Sequence, residues 1–130
     1  VFDLRLFGCF GREELPSRFI KSSLRNIREG EPIQIHKDMF MDFFYVGDLC
    51  KIIEYYILSD LAFLPISLNM SYEKNYSLSH ITKEIAGKDY PIEFLSEDKD
   101  SYSGNGDKLY KLPISLIGLF DGIKHANYDE

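Results

Sequence analysis

The chain has 130 residues, 45% apolar and 28% charged, which is the composition of one globular domain rather than of a disordered chain. Its net charge of −6 argues against a nucleic-acid-binding protein, which normally presents a basic surface, and no apolar run approaches the ~20 residues that span a bilayer. The sequence opens with no signal peptide, and Cys9 and Cys50 lie apart in apolar stretches, so we expect a cytoplasmic protein without disulfides.

The first part of the chain predicts a buried strand followed by an amphipathic helix. Residues 1–10 (VFDLRLFGCF) are rich in apolar side chains, and Gly8 and Gly11 are expected to end the strand. Residues 16–29 predict a helix that stops at Gly30. One face of this helix is apolar, and the other carries Arg18, Lys21, Arg25 and Arg28.

The middle of the chain predicts two short strands, residues 32–36 and 42–46, and a second helix that ends near Ser59. Asp48 is a candidate N-cap for that helix, because its carboxylate can accept hydrogen bonds from the free N–H groups of the first turn. The predicted buried face consists of Leu49, Ile52, Ile53, Tyr56 and Ile57.

The last part of the chain predicts two further strands and two further helices. They are a strand at 66–70, a helix capped by Ser77 or Ser79 and running through Ala86 to a stop at Gly87, a strand at 91–95, a polar loop at 97–107 and a helix at 113–125. Strands that alternate with helices indicate an α/β fold. Only 1–10 and 66–70 look apolar enough for the centre of a sheet, so we expect other strands to complete that sheet.

Sequence motifs for catalysis are missing from the chain. None of the nine tyrosines is followed by lysine at the fourth position, so the Tyr-x-x-x-Lys acid/base pair is absent. The histidines His36, His80 and His125 are isolated, which predicts no zinc site, and no G-x-S-x-G motif occurs. We therefore assign no catalytic residue and no metal.

Glycines also fail to form a cofactor loop. Residues 8–11 (GCFG) imitate a dinucleotide-binding loop, but Glu14 occupies the position of the third glycine, and it and the adjacent Glu13 would repel a pyrophosphate. Residues 104–106 (GNG) predict a turn. Arg18 is the better candidate for an anion ligand, because it lies at the start of its helix; for Arg25 and Arg28 a solvated helix face is the favoured interpretation.

Five segments, in order, resemble the NAD-dependent epimerase/dehydratase family, the extended short-chain dehydrogenases. Residues 4–11 (LRLFGCFG) are similar to the family's LRxFNVYGP segment, and residues 42–49 (DFFYVGDL) to its RDFVYVDDV junction. The other similar segments are 66–70 (ISLNM), 77–81 (SLSHI) and 105–109 (NGDKL). The nucleoside-diphosphate-sugar epimerase or GDP-fucose-synthetase-like branch is the most similar.

The resemblance implies that residues 1–130 form a single C-terminal substrate-binding region with late strands of a Rossmann sheet and several helices. The NAD-binding Rossmann domain and the Tyr-Lys pair would lie outside the chain. By the same resemblance, Phe7 and Gly8 would lie near the nicotinamide of NAD or NADP, and Arg18 and Lys21 near the diphosphate of a nucleotide sugar. The intact enzyme is expected to be a homodimer without nucleic-acid or membrane partners, and the chain alone to be inactive and to bind no cofactor.

Four departures from the family pattern qualify these expectations. Gly8 replaces the family's Asn, Arg12 its Pro, Met41 an Arg that often meets the substrate phosphate, and Gly47 the first Asp of a pair. Two other interpretations stay open. One is a standalone, non-catalytic binding or oligomerisation domain derived from the family, and the other is an α/β domain without a ligand.

Overall fold

The computed structural model describes residues 1–96, 99–102, 104–126 and 128. Within these residues there are four helices, nine short strands and two 3-10 turns. The helices are α1 (Phe19–Glu29), α2 (Val46–Leu58), α3 (Leu78–Ala86) and α4 (Leu119–His125), and the 3-10 turns are Leu61–Phe63 and Leu109–Lys111. The strands are β1 (Asp3–Leu6), β2 (Cys9–Phe10), β3 (Ile33–Ile35), β4 (Asp38–Met41), β5 (Phe44–Tyr45), β6 (Ser67–Met70), β7 (Tyr76–Ser77), β8 (Ile92–Phe94) and β9 (Lys99–Tyr102).

The strands form small, mostly parallel sheets. β1 pairs with β6, β2 with β5 and β3 with β8, all in parallel, while β4 lies between antiparallel β7 and parallel β9. Parallel partners must be joined by crossover connections, and the helices supply much of them. The predicted α/β fold is therefore confirmed.

One apolar core joins the sheets and helices. Its fully buried side chains include Ile20 of α1, Phe44 of β5, Ile52 of α2, Leu68 of β6 and Ile81 of α3. Each of these elements thus contributes an inward face to the same core, which is the usual way in which a domain of this size gains its stability.

Helix α1 begins later than predicted but ends where expected. Residues 15–18 form a turn in which Arg18 N–H donates to the Leu15 carbonyl (3.0 Å), and Arg18 has extended backbone angles, so the first helical residue is Phe19. At the other end, Gly30 has φ of 72°, a left-handed conformation that glycine adopts without strain. Burial of Ile20 and Ser23 confirms the predicted inward face.

Helix α3 agrees with its prediction at both ends. Ser77 is the N-cap, and its Oγ accepts a hydrogen bond from the His80 N–H (3.2 Å). Leu78 and Ile81 are buried, and the helix stops before Gly87.

Helix α2 differs from the prediction in its start, in the role of Asp48 and in its buried face. It begins at Val46, so the strand predicted at 42–46 is reduced to β5, and Asp48 lies inside the first turn rather than at the N-cap. Ile52 and Tyr56 are buried as predicted, but Ile53 and Ile57 are exposed. The sequence pattern also missed β4, whose polar and aromatic residues do not alternate like those of a half-buried strand.

The C-terminal part corrects two more predictions. The predicted loop at 97–107 contains β9, although residues 97, 98 and 103 lie outside the described residues. The helix predicted at 113–125 is shortened to α4, because residues 113–118 run without helical structure up to Gly118, which has φ of 93°.

The predicted first strand is divided into β1 and β2, and β1 is not buried. Leu6 is 44% exposed, while its partner Met70 and the neighbouring Leu68 in β6 are fully buried. Among the described strands β1 pairs with β6 alone, so its other edge carries no described partner.

Candidate functional site

Residues 42–44, which follow β4 and include the first residue of β5, bring the predicted cofactor residues into contact with the rest of the chain. The carbonyl of Gly8 accepts a hydrogen bond from the Phe44 N–H (2.9 Å), and a Cβ atom at Gly8 would lie 2.2 Å from the Asp42 carbonyl oxygen. Only glycine therefore allows this close approach. The ring of Phe7 lies against Gly104, since a Cβ atom there would meet the ring at 2.3 Å.

Asp42 is the titratable group next to this contact. Its carboxylate is almost fully buried, and its Oδ2 accepts a hydrogen bond from the Gly104 N–H (2.6 Å). Burial raises the pKa of the Asp42 carboxyl group above its ordinary value, and hydrogen bonds from Gly104 and Ser71 offset part of that rise. Asp42 thus links residues 42–44, which contact Gly8, to the residues that follow β9.

The start of α1 packs on the same segment. The ring centroids of Phe19 and Phe43 are 5.9 Å apart. Arg18, the residue before the helix, is exposed, and the first turn of α1 contains no acidic residue. A guanidinium group beside the positive end of a helix dipole favours an anion at this place.

The Lys21 side chain forms hydrogen bonds within the chain. Its ammonium group donates to the carbonyl oxygens of Arg12 (2.7 Å) and Glu14 (2.9 Å), so it holds the loop between β2 and α1. Two of its three N–H donors are used in this way. Of the two predicted substrate ligands, Arg18 therefore has the more available charge.

The loop after β2 uses its own groups as hydrogen-bond partners. The Glu14 carboxylate accepts from the Gly11 N–H (2.9 Å) and from the Tyr128 hydroxyl (2.8 Å). Burial and the bond to Glu14 raise the pKa of Tyr128. Because Glu14 occupies the backbone donor of Gly11, the geometry supports the expectation that GCFG is not a pyrophosphate loop.

A buried network around Asp48 was not found from the sequence. Asp48 accepts hydrogen bonds from the Tyr72 hydroxyl (2.5 Å), the Ile117 N–H (2.9 Å) and the Gly118 N–H (3.0 Å). The Tyr72 hydroxyl in turn accepts from the Tyr45 N–H (3.1 Å). Burial, followed by the bond to Asp48, raises the pKa of Tyr72, so the tyrosine stays neutral. The only sequence signal was an acidic residue in an apolar segment.

Two surface cavities lie near these networks. One, of about 460 Å³, is lined mainly by apolar atoms of residues 9–11, 45, 46, 125 and 126, with Arg12, Glu13 and Glu14 also in its wall. The other, of about 290 Å³, lies between residues 72–76, Tyr110 and residues 117–121. Phe7, Gly8, Arg18 and Lys21 line neither cavity.

Among the described residues, no group of three His, Cys, Asp or Glu side chains is placed to hold a metal ion. None of their helices is both long and apolar enough to cross a bilayer.

Comparison of sequences gives no assignment: no family model matches the chain, and no curated protein matches it. Comparison of structures does. The UDP-glucuronic acid 4-epimerase from Bacillus cereus, solved with UDP-glucuronic acid and NAD, matches 98% of this chain with a TM-score of 0.73 and 22% identity. A UDP-N-acetylglucosamine 4-epimerase from Methanobrevibacter ruminantium M1 matches 96% of it with a TM-score of 0.70 and 20% identity.

A third match is the dTDP-glucose 4,6-dehydratase from Bacillus anthracis in complex with NAD, with a TM-score of 0.70, 16% identity and 95% of this chain covered. This chain spans 44%, 43% and 42% of the three solved chains, in the order given. At these identities the similarity establishes the fold. The predicted resemblance to NAD-dependent epimerases and dehydratases is confirmed at that level.

Proposed function

We propose that this chain is the nucleotide-sugar-binding part of an NAD(P)-dependent enzyme that epimerises, dehydrates or reduces the sugar. The observation that carries the proposal is the common packing of two predicted ligand segments on residues 42–44: Gly8 contacts Asp42 and Phe44, and Phe19, next to Arg18, contacts Phe43.

In this proposal Arg18 holds the substrate diphosphate. Its guanidinium group is exposed at the N-terminal end of α1, where the helix dipole adds to its positive charge. Met41, in the position of the family's Arg, offers no charge for this task. Lys21 acts indirectly, because its bonds to Arg12 and Glu14 fix the loop that leads into the helix.

The cofactor would be held mainly by residues outside this chain. Phe7 and Gly8 provide an aromatic ring and a backbone without a side chain, which suits one wall beside a flat nicotinamide ring. The Gly11 N–H is not available to the pyrophosphate, since it donates to the Glu14 carboxylate. When bound, NAD or NADP would supply hydride transfer. This chain would bind and orient the sugar nucleotide, and the tyrosine acid/base would come from outside it.

The proposal is tested by nucleotide-sugar binding to the native protein that carries this chain. UDP-, GDP- and dTDP-sugars are titrated by calorimetry in the presence of NAD, and at least one is expected to bind. Replacement Arg18→Ala should weaken that binding roughly 10- to 100-fold, because a charge-assisted hydrogen bond contributes about 1.5–3 kcal/mol.

Arg25→Ala is the matched control, since Arg25 is exposed on the same helix but away from its start. Its effect on the dissociation constant should stay within about twofold, as for a surface charge. Equal losses in both variants would show that the helix merely presents a charged face to solvent. Binding of none of the sugars would favour the standalone-domain interpretation.

A further inference from the structure

A third cavity lies between the polar face of the β1–β6 sheet and the residues that follow β9. It has a volume of about 330 Å³ and is lined by Arg5, Asn69, Asn105, Asp107, Lys108 and Lys111. Arg5 and Asn69 are paired in register on neighbouring parallel strands, so their side chains project to the same side of the sheet. None of these residues belongs to the nucleotide-sugar site proposed above.

The wall opposite the sheet is fixed in place by short contacts. Asn69 Nδ2 donates to the Asn105 carbonyl (2.9 Å), and Gly106 lies so close to Ser71 that an added Cβ would be 2.0 Å from its carbonyl oxygen. Leu109, between the two lysines, is buried in the core. The cavity is therefore part of the folded chain rather than a gap beside a loose loop.

Positive charge is concentrated here in a chain whose net charge is −6. Three cationic side chains and one carboxylate line the cavity. Arg5 donates to Ser67 Oγ (2.6 Å) and lies 3.8 Å from an Asp3 carboxylate oxygen, which leaves part of its guanidinium fork available. Neither Lys108 nor Lys111 forms an ion pair with a carboxylate of the described residues.

One polar atom beside the cavity is unsatisfied. Among the described residues, no group donates a hydrogen bond to the buried Oδ1 of Asn69. Buried polar atoms without a partner are uncommon and call for an explanation. A ligand that carries hydroxyl groups as well as negative charge would meet the needs of both the cations and the amide oxygen.

We propose that this cavity is a second binding site, for a small hydroxylated molecule that bears a phosphate group. The guanidinium group and the two ammonium groups carry three positive charges, and the Asp107 carboxylate reduces this sum to two, which matches a phosphate dianion. The volume lies at the lower end of small-molecule sites, which excludes a macromolecular ligand inside it. The proposal does not depend on the nucleotide-sugar function.

The experiment uses inorganic phosphate as the probe and the native protein that carries this chain. Phosphate is titrated while the melting temperature is followed, at an ionic strength held constant with chloride, because screening alone also changes stability. A saturable rise with phosphate, absent with chloride, is expected. The double variant Lys108→Gln/Lys111→Gln should raise the half-saturation concentration of phosphate at least tenfold. Both lysines are exposed, so the variant should fold.

The double variant Lys83→Gln/Lys88→Gln removes the same charge from two exposed positions on or beside α3 and serves as the control. Its half-saturation concentration should change less than twofold. Equal weakening in both variants, or no saturable rise in the unmodified protein, would overturn the proposal. Arg18→Ala should leave phosphate binding unchanged. Loss of phosphate binding in this variant would assign the phosphate to the nucleotide-sugar site and would also overturn the proposal of a second site.

Discussion

The network around Asp48 and the β1–β6 sheet differ in whether their hydrogen-bonding groups have partners within the described residues. Around Asp48, both carboxylate oxygens are hydrogen-bonded, and the partners come from as far along the chain as Tyr72 and Gly118. In the β1–β6 sheet, one strand is fully buried on its apolar face, while Leu6 of the other is 44% exposed and the second edge of β1 has no described partner.

This difference indicates which part of the chain is complete by itself. A buried carboxylate is tolerated only when every oxygen is paired, so the Asp48 network stabilises the fold without any further chain. An exposed strand edge instead offers free N–H and C=O groups to another strand. The sheet is therefore the place where we expect residues outside this chain to be added.

Asp48→Ala is expected to have the largest effect. It leaves the Ile117 and Gly118 N–H groups and the Tyr72 hydroxyl without their acceptor, and each unsatisfied buried group costs about 1–3 kcal/mol. We expect the free energy of unfolding, measured by urea denaturation, to fall by roughly 3 kcal/mol or more, a large part of the ~5–15 kcal/mol typical of a domain.

Asp121→Ala is the control, because Asp121 is an exposed carboxylate in the first turn of α4. It should cost no more than about 1 kcal/mol, through the lost helix-dipole interaction. Similar losses for the two variants would mean that the Asp48 network is not what holds the C-terminal segment.

Tyr72→Phe should have an intermediate effect. The change removes the hydroxyl that donates to Asp48 and accepts from the Tyr45 N–H, but it keeps the ring, which stacks on Phe44 at 4.5 Å. We expect a loss of about 2 kcal/mol by the same measurement. Tyr55→Phe, at a half-buried position in α2, should change stability by less than about 0.5 kcal/mol. A loss for Tyr72→Phe as small as that would contradict the assigned hydrogen bonds.

The sequence predicted well wherever the structure depends on near neighbours. Gly30, Ser77 and Gly87 mark the ends of their helices as expected, because capping requires only the adjacent turn. The apolar face of α1 was also correct, since it follows from periodicity alone.

Predictions failed where a distant partner decides the outcome. Asp48 was expected to cap its own helix, but it instead binds a segment about 70 residues further along the chain. Residues 38–41 became a strand because β7 and β9 pair with them, which no local pattern records. Of the candidate site, the resemblance provided the residues, whereas the contact of Gly8 with Asp42 and the position of Lys21 required the fold.

Leu6→Ser should have the smallest effect, and it tests whether residues outside this chain cover strand β1. Leu6 is largely exposed, so in this 130-residue chain the free energy of unfolding should change by less than about 0.5 kcal/mol. Leu68→Ala, in the neighbouring buried strand, should cost about 2–5 kcal/mol and serves as the internal reference. In a longer native protein whose own strand covers β1, Leu6→Ser should be clearly more costly than in this chain. A large loss already in this chain, increasing with protein concentration, would show instead that a second copy covers the strand, as the oligomerisation hypothesis expects.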